Sequence, residues 1–351
     1  MSLFAKKPAV APAPNVNKET TAIDLGSAYV KIAVTDKNGQ ITQTVIAANP
    51  LGFAVPTKNT QIEPLANLLK NIFLEYKLPR RNVALAMSEK FVSTEVIEIP
   101  YLTDSELASS INWQAQQYIP IPQEELVLNY QVLFRPDKKD AGSQNMRVLL
   151  VGINRTNVNN LIAAYKQAGL EPTVMETESL ATLRHYQNDD PNSSAMIVNF
   201  GASGMDLTLL HDNEIAYVIS HQTGSDMITK ALMSTFNLTH DKADEYKMAY
   251  GIDSSFAQGR IAQAIVPIAQ TILTDIKNTL TFYNNKNVAN PVKSLILTGG
   301  GVQMPGFKEL LSVNLNTPAV ILDTFANLNG QIPENNHAMF PVATGLIKRK
   351  Q

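Results

Sequence analysis

The sequence predicts an α/β protein of two similar halves with mixed sheets, interrupted by an inserted α+β subdomain. Three observations carry that reading. One element is written twice, as Thr21-Ala-Ile-Asp-Leu-Gly-Ser27 and as Met196-Ile-Val-Asn-Phe-Gly-Ala-Ser203. In each, an apolar strand ends in an oxygen-bearing side chain with glycine two places on (Asp24/Gly26 and Asn199/Gly201). A second apolar run and a polar turn follow, with Lys37 and Asp212 at the same interval. Next, Thr298-Gly-Gly-Gly301 closes an apolar strand and precedes Pro305-Gly306-Phe307 and a helix. Finally, residues 89–172 read strand, helix, strands, helix and break the repeated scheme.

The elements follow in order. Strand, glycine bend and returning strand make a hairpin whose tight turn aims backbone N–H groups at an anion. Ile62, Leu65, Leu69, Ile72, Phe73 and Tyr76 recur at helical spacing, with Pro64 suited to a first turn. Val83–Met87 and Phe91–Ile99 are short apolar strands. Thr103-Asp-Ser-Glu106 is a capping box that starts a helix to about Tyr118, stopped by Ile-Pro-Ile-Pro122. Trp113 is assigned to the apolar side of that helix. Leu126 to Phe134 alternates as a strand, 136–146 is a loop, and Arg147–Ile153 is a strand. A helix then runs to Ala168 and stops at Gly169.

After the second hairpin, helices are expected at Asp226–Phe236, Thr239–Tyr250 and from about Phe256 to Asn284. Ser294–Leu297 is a strand, and a last helix starts near Ala338. The domain expectation is therefore a flexible lead over 1–18, a first half (19–88 and 173–195 with the helix 338–351), the insertion 89–172, and a second half 196–337 with helical 226–285.

Length and composition set outer bounds. The 351 residues exceed one ordinary core. A net charge of −2 without a dominant basic cluster argues against nucleic acid as partner. The chain has no cysteine, so disulfides, thiol chemistry and thiolate metal sites are excluded. No apolar run is long enough to span a bilayer, and the start lacks a signal-peptide core. Leu3-Phe4 reads as a frayed terminus, and Lys348-Arg-Lys350 as cations suited to a helix C-terminus. A cytoplasmic protein without direct membrane insertion is expected.

The residues that carry chemistry are few. Asp24 ends a buried strand, where a carboxylate can hold waters around Mg²⁺; alone it reads sooner as a cap or turn residue, and the second hairpin turns the reading toward the metal. The glycines of 299–301 allow close backbone approach to a ligand, or form a loose loop. Asp244 and Lys247 share a helix face, as ribose contacts or as a solvated ion pair. Glu178 either orients a water or caps the following helix. The five histidines lack ligand spacing, and neither a nucleophile elbow nor a P-loop occurs.

Asp24-Leu-Gly-Ser, Asn199-Phe-Gly-Ala-Ser and Leu297-Thr-Gly-Gly-Gly resemble the two phosphate motifs and the adenosine motif of the actin-like ATPase superfamily. Within it the chain is most similar to the PilM family of type IV pilus assembly proteins. That similarity also covers Gln117-Tyr-Ile-Pro-Ile-Pro122, Val148-Leu-Leu-Val-Gly152, Leu280-Thr-Phe-Tyr283 and Ala343-Thr-Gly345.

The resemblance implies an actin-like (ribonuclease H-like) two-domain fold with the insertion that PilM shares with FtsA. It implies ATP and Mg²⁺ as cofactors. Nucleotide contacts would come from Asp24, Gly26, Ser27, Lys31, Asn199, Gly201, Ser203, Gly224, Asp244, Lys247, Gly299, Gly300 and Gly301. Asp24 and Asn199 would face the metal, and Glu178 would orient the attacking water. Asn199 stands where the superfamily has aspartate and cannot carry its charge, so slow hydrolysis is expected.

As partner the resemblance implies a PilN-like bitopic membrane protein, bound through a short cytoplasmic N-terminal segment, with other pilus platform or motor proteins as further candidates. Through that partner the protein would sit at the inner face of the cytoplasmic membrane. Two alternatives share the fold. An FtsA-like filament protein would end in a membrane helix, which is not seen after the last helix. A metabolite kinase would need a further catalytic base.

Overall fold

The computed structural model describes residues 18–137, 144–187, 190, 193–255 and 257–349. The expected lead before Lys18, the middle of the loop 136–146, Phe256 at the expected start of the long helix, Lys350 and the final Gln351 lie outside the described residues.

Two five-stranded sheets are built on one plan. The first holds β1 (Thr20–Leu25), β2 (Tyr29–Thr35), β3 (Ile41–Ala48), β4 (Val83–Met87) and β8 (Pro172–Thr177), in the order β3-β2-β1-β4-β8. The second holds β9 (Ser194–Phe200), β10 (Met205–His211), β11 (Glu214–His221), β12 (Val292–Thr298) and β13 (Ala319–Ile321), in the order β11-β10-β9-β12-β13. In both, three strands form an antiparallel meander and the other two run parallel to the first. All six residues of β1 are buried, as a central strand covered on both faces requires. The repeat in the sequence is thus a repeat of topology, extended by β3 and β11, which sequence patterning did not supply.

The third sheet, β5 (Val92–Ile99), β6 (Leu126–Phe134) and β7 (Met146–Asn154), is antiparallel in the order β5-β7-β6. Helix α2 (Asp104–Ala115) covers it, burying Leu107, Ile111 and Ala115 among Ile97, Ile99, Met146, Val148 and Leu150. The capping box forms: the Thr103 amide donates to Glu106 Oε2 at 2.8 Å and the Glu106 amide to Thr103 Oγ1 at 3.4 Å. Trp113 corrects the expectation, being 63% exposed. At about 100° per residue it lies on the far side of the helix from Ile111.

Helix α1 (Ile62–Glu75) buries the expected stripe of Leu65, Leu69, Ile72 and Phe73. Helix α3 (Arg155–Gln167), expected with the insertion, instead packs on α1 and brings Val158, Leu161 and Tyr165 into the core of the first sheet. That core also takes Ala195, Ile197, Leu210 and Ile296 from the second sheet, so the two halves share apolar packing. Helix α4 (Glu178–Leu183) crosses α9 (Pro341–Ile347) at Gly345, where a Cβ would stand 2.0 Å from the Ala181 carbonyl oxygen.

On the second half, α5 (Ser225–Phe236), α6 (His240–Tyr250), α7 (Arg260–Lys286) and α8 (Phe307–Leu315) surround a second core. The closing helix is shorter than expected, because Pro341 starts it anew after a single turn at His337–Met339. Among the described residues no helix is long and apolar enough to cross a membrane.

Candidate functional site

The two hairpins close in the same way. The Gly26 amide donates to the Tyr29 carbonyl at 3.0 Å, and the Gly201 amide to the Gly204 carbonyl at 2.9 Å. Asp24 is the register partner of Lys31, and the buried carboxylate meets the partly buried Lys31 at 2.9 Å between Oδ2 and Nζ. A Cβ on Gly26 would lie 2.8 Å from that Nζ, so glycine leaves the room Lys31 occupies. Ser27 is half-buried in the loop between the strands.

At the equivalent position of the second hairpin Asn199 faces Asp206. Asn199 itself carries no charge, but a carboxylate stands opposite it on the returning strand. Asp206 accepts from Ser220 Oγ at 2.6 Å, and burial pushes its carboxyl up to about 6 against that bond. The signal was present in the sequence, since Asp206 follows Asn199 at the interval by which Lys31 follows Asp24.

Glu178 begins α4, but the cap is Thr177, whose hydroxyl accepts from the Leu180 amide. The Glu178 carboxyl is raised well above the ordinary carboxylate range, first by burial and then by the charges of Asp24, Asp206 and Glu89, with Lys31 opposing. Those groups thus converge from both hairpins and from α4. Glu89 escaped the sequence reading because no motif marks it. It is 2% exposed and lies against Glu178; burial, then Asp206, pushes it up to about 7. The Glu89 amide donates to Glu178 Oε2 at 3.4 Å, and the Ser179 amide donates to Glu89 Oε1 at 2.8 Å.

The turn before α5 is pinned onto the second loop. The Ser225 amide donates to the Gly201 carbonyl and the Asp226 amide to the Ala202 carbonyl. Only glycine fits at Gly224, where a Cβ would be 2.1 Å from the Ala202 carbonyl oxygen. Ser203 is exposed at the loop tip.

Lys247 is 5% exposed, which rules out the solvated ion pair. Its Nζ donates to Asp244 Oδ1 at 2.5 Å and to Thr229 Oγ1 at 2.9 Å, fixing Asp244 on α6. Tyr29, 40% exposed beside the first loop, is raised by burial and then by the charges of Asp244 and Asp241. The first hairpin and α6 therefore lie within electrostatic reach of each other.

Gly299, at φ +93°, runs so close to Asn199 that a Cβ would lie 2.8 Å from its Oδ1. Its amide donates to the Ala338 carbonyl at 2.7 Å. Gly300 is partly exposed, whereas Gly301 is buried against the Phe200 ring and leaves room for that packing. The glycine run thus abuts the second hairpin.

A family model described as "Type IV pilus assembly protein PilM" matches residues 22–350. The chain belongs to the PilM family. Its fold is actin-like. Among solved structures it is similar to a PilM-PilN type IV pilus biogenesis complex, with a TM-score of 0.82 and 23% identity over 96% of this chain and 99% of that one. It is also similar to MreB5 of Spiroplasma citri bound to AMPPNP, at a TM-score of 0.53 and 14% identity, covering 93% and 94% of the two chains. Among curated proteins it resembles cell division protein FtsA of Streptococcus pneumoniae serotype 2 (strain D39 / NCTC 7466), 19% identical over 83% of this chain and 72% of FtsA.

Proposed function

We propose that this PilM-family chain is an ATP-binding platform of type IV pilus assembly that recruits the cytoplasmic N-terminal segment of a PilN-like membrane protein. The observation that carries the reading is the family match across residues 22–350. Its similarity to a PilM-PilN complex supports the partner, and its similarity to an AMPPNP-bound MreB5 supports the nucleotide. The platform works in the cytoplasm and reaches the membrane through that partner.

The triphosphate lies between the loops at Gly26–Ser27 and Gly201–Ser203, which turn back in the same way in the two halves. Asp244, held in place by Lys247, faces the ribose, and Gly299 and Gly300 line the adenosine side. Asp24, Asn199, Asp206 and Glu178 offer only hard oxygen ligands, which suit Mg²⁺. Among the described residues no three His, Asp or Glu side chains are grouped closely enough to hold a metal by themselves. That fits an ion held largely through water and phosphate oxygens, which would neutralise phosphate charge when bound. Residues 89–172, less α3, form the partner-facing unit.

Titration calorimetry tests the reading in two steps, with Mg·ATP and then with a synthetic peptide copying the N-terminal cytoplasmic segment of a PilN-like protein. Saturable binding of both supports the platform. Peptide binding without nucleotide binding rejects the ATP assignment, and nucleotide binding without peptide binding rejects the partner.

A further inference from the structure

Glu89 and Glu178 are joined by two bonds to backbone. Glu178 Oε2 accepts from the Glu89 amide at 3.4 Å, and Glu89 Oε1 accepts at 2.8 Å from the amide of Ser179, the residue after Glu178. The two residues are far apart in the chain, and both side chains are buried. Two buried carboxyls side by side are an expensive way to join two segments, since neutral groups would do so without like-charge repulsion. Burial and neighbouring acids push both carboxyls up. Such a local conflict in an otherwise well-packed region marks a position kept for something other than stability.

The positions of the two ends show what is joined. Glu178 is the group on α4 that meets the charges of Asp24 and Asp206. Glu89 is the point at which the chain leaves the first sheet, and β5 begins three residues later at Val92. The clasp therefore ties a buried carboxylate of the cleft to the strand entering the third sheet. A second tie comes from the opposite half. Strand β11 packs beside β5, and Arg147 on β7 meets Glu214 on β11 at 3.0 Å. Strand β11 is also the strand whose Ser220 holds Asp206. The third sheet is thus fastened to both walls of the same cleft.

We propose that the Glu89–Glu178 clasp couples occupancy of the cleft to the third sheet, with Glu89 acting as a positioning residue that moves β5 and α2 when Glu178 engages a bound metal–phosphate group. This rests on the nucleotide reading above. Glu178 holds the Glu89 amide only at long distance, so a bond to a metal-bound water replaces it at little cost. With that amide released, the Glu89–Ser179 bond is the link through which a shift of α4 reaches the turn before Val92. Conversely, a partner seated on the third sheet would set the position of Glu178, because coupling between two sites is reciprocal.

The test is hydrogen exchange of the full chain, with and without AMPPNP and MgCl₂, read over residues 92–115. Calorimetry on the same samples establishes occupancy. In the wild type, bound AMPPNP changes exchange in that segment by about threefold or more, the scale of a local opening shifted by under 1 kcal/mol. Glu89→Met fills the volume but cannot accept from Ser179, and is expected to bind AMPPNP while losing the response. Glu89→Gln keeps an acceptor and retains it. A general structural defect would alter exchange with and without nucleotide alike, not the difference. The proposal is overturned if the wild type binds AMPPNP with no change over 92–115, or if Glu89→Met keeps the full response. A wild type that does not bind AMPPNP removes the nucleotide reading itself, and the coupling with it.

Discussion

Asp206 lies opposite Asn199 in the β9–β10 ladder, as Lys31 lies opposite Asp24 in the β1–β2 ladder. Each hairpin therefore brings one carboxylate to the same point of the repeated fold, but on opposite strands. The first carboxylate has a cation at 2.9 Å, whereas the second has an amide across the ladder. Asp206 is thus the carboxylate of the pair whose charge a divalent ion would offset.

Replacing Asp206 by asparagine should weaken Mg·ATP binding about tenfold, the scale of one charge-assisted contact. Binding of ATP measured in EDTA should change much less. The swap Asn199→Asp/Asp206→Asn returns a carboxylate to the site and should recover most of the magnesium dependence. Calorimetry at several Mg²⁺ concentrations checks both, and an unchanged Asp206→Asn variant would remove Asp206 from the metal's surroundings.

The sequence carried the outline of this site for physical reasons. Asp24 and Gly26 recur as Asn199 and Gly201 at the same place in two hairpins that close by the same bond, from the glycine amide to the carbonyl three residues on. Asp206 was hidden because its role depends on register across a loop, and strand patterning does not give register. Glu89 was hidden more deeply, since nothing local distinguishes a buried glutamate in a turn from an exposed one. Trp113 was legible but misread: Leu107, Ile111 and Ala115 already define the buried stripe at helical spacing, and Trp113 falls off it. Strands β3 and β11 were missed because Ile41–Ala48 and Glu214–His221 are half-exposed and mixed in polarity.

His185 should make the protein acid-sensitive. Its Nδ1 accepts from Lys348 Nζ at 2.9 Å, and its other ring nitrogen lies 3.0 Å from the Pro341 carbonyl. Burial and then Lys348 push its pKa down from 6.5 to about 3. A depressed histidine favours the fold in its neutral form, so its contribution is complete above the unfolded value and lost as pH falls below it. Between pH 7.5 and pH 5 this should cost about 2 kcal/mol. A pH series of melting temperatures should fall more steeply for the wild type than for His185→Gln; parallel curves would contradict the assignment.

Glu89 should act in the opposite sense. Its pKa is raised from 4.5 to about 7, so its ionised form opposes folding above the unfolded value, and protonation relieves the cost as pH falls. Glu89→Gln should therefore raise the melting temperature at pH 8, by at most about 3 kcal/mol of stability, and the gain should vanish below about pH 4.5. Chemical denaturation at the two pH values measures it, and a variant less stable at pH 8 would show that the charged carboxylate supports the fold.

Asp24 decides the central claim, that the two hairpins grip a magnesium nucleotide. Removing Asp24 alone strands the charge of the partly buried Lys31 and so mixes a cost in stability with any effect on binding. Asp24→Asn/Lys31→Met removes both charges and keeps the packing. Calorimetric titration of Mg·ATP into the wild type and into this double variant, shown to be folded by its melting curve, is the most direct measurement. The account predicts saturable binding by the wild type and at least about a tenfold loss in the variant. Equal affinities in the two proteins, or no binding by the folded wild type, would contradict it.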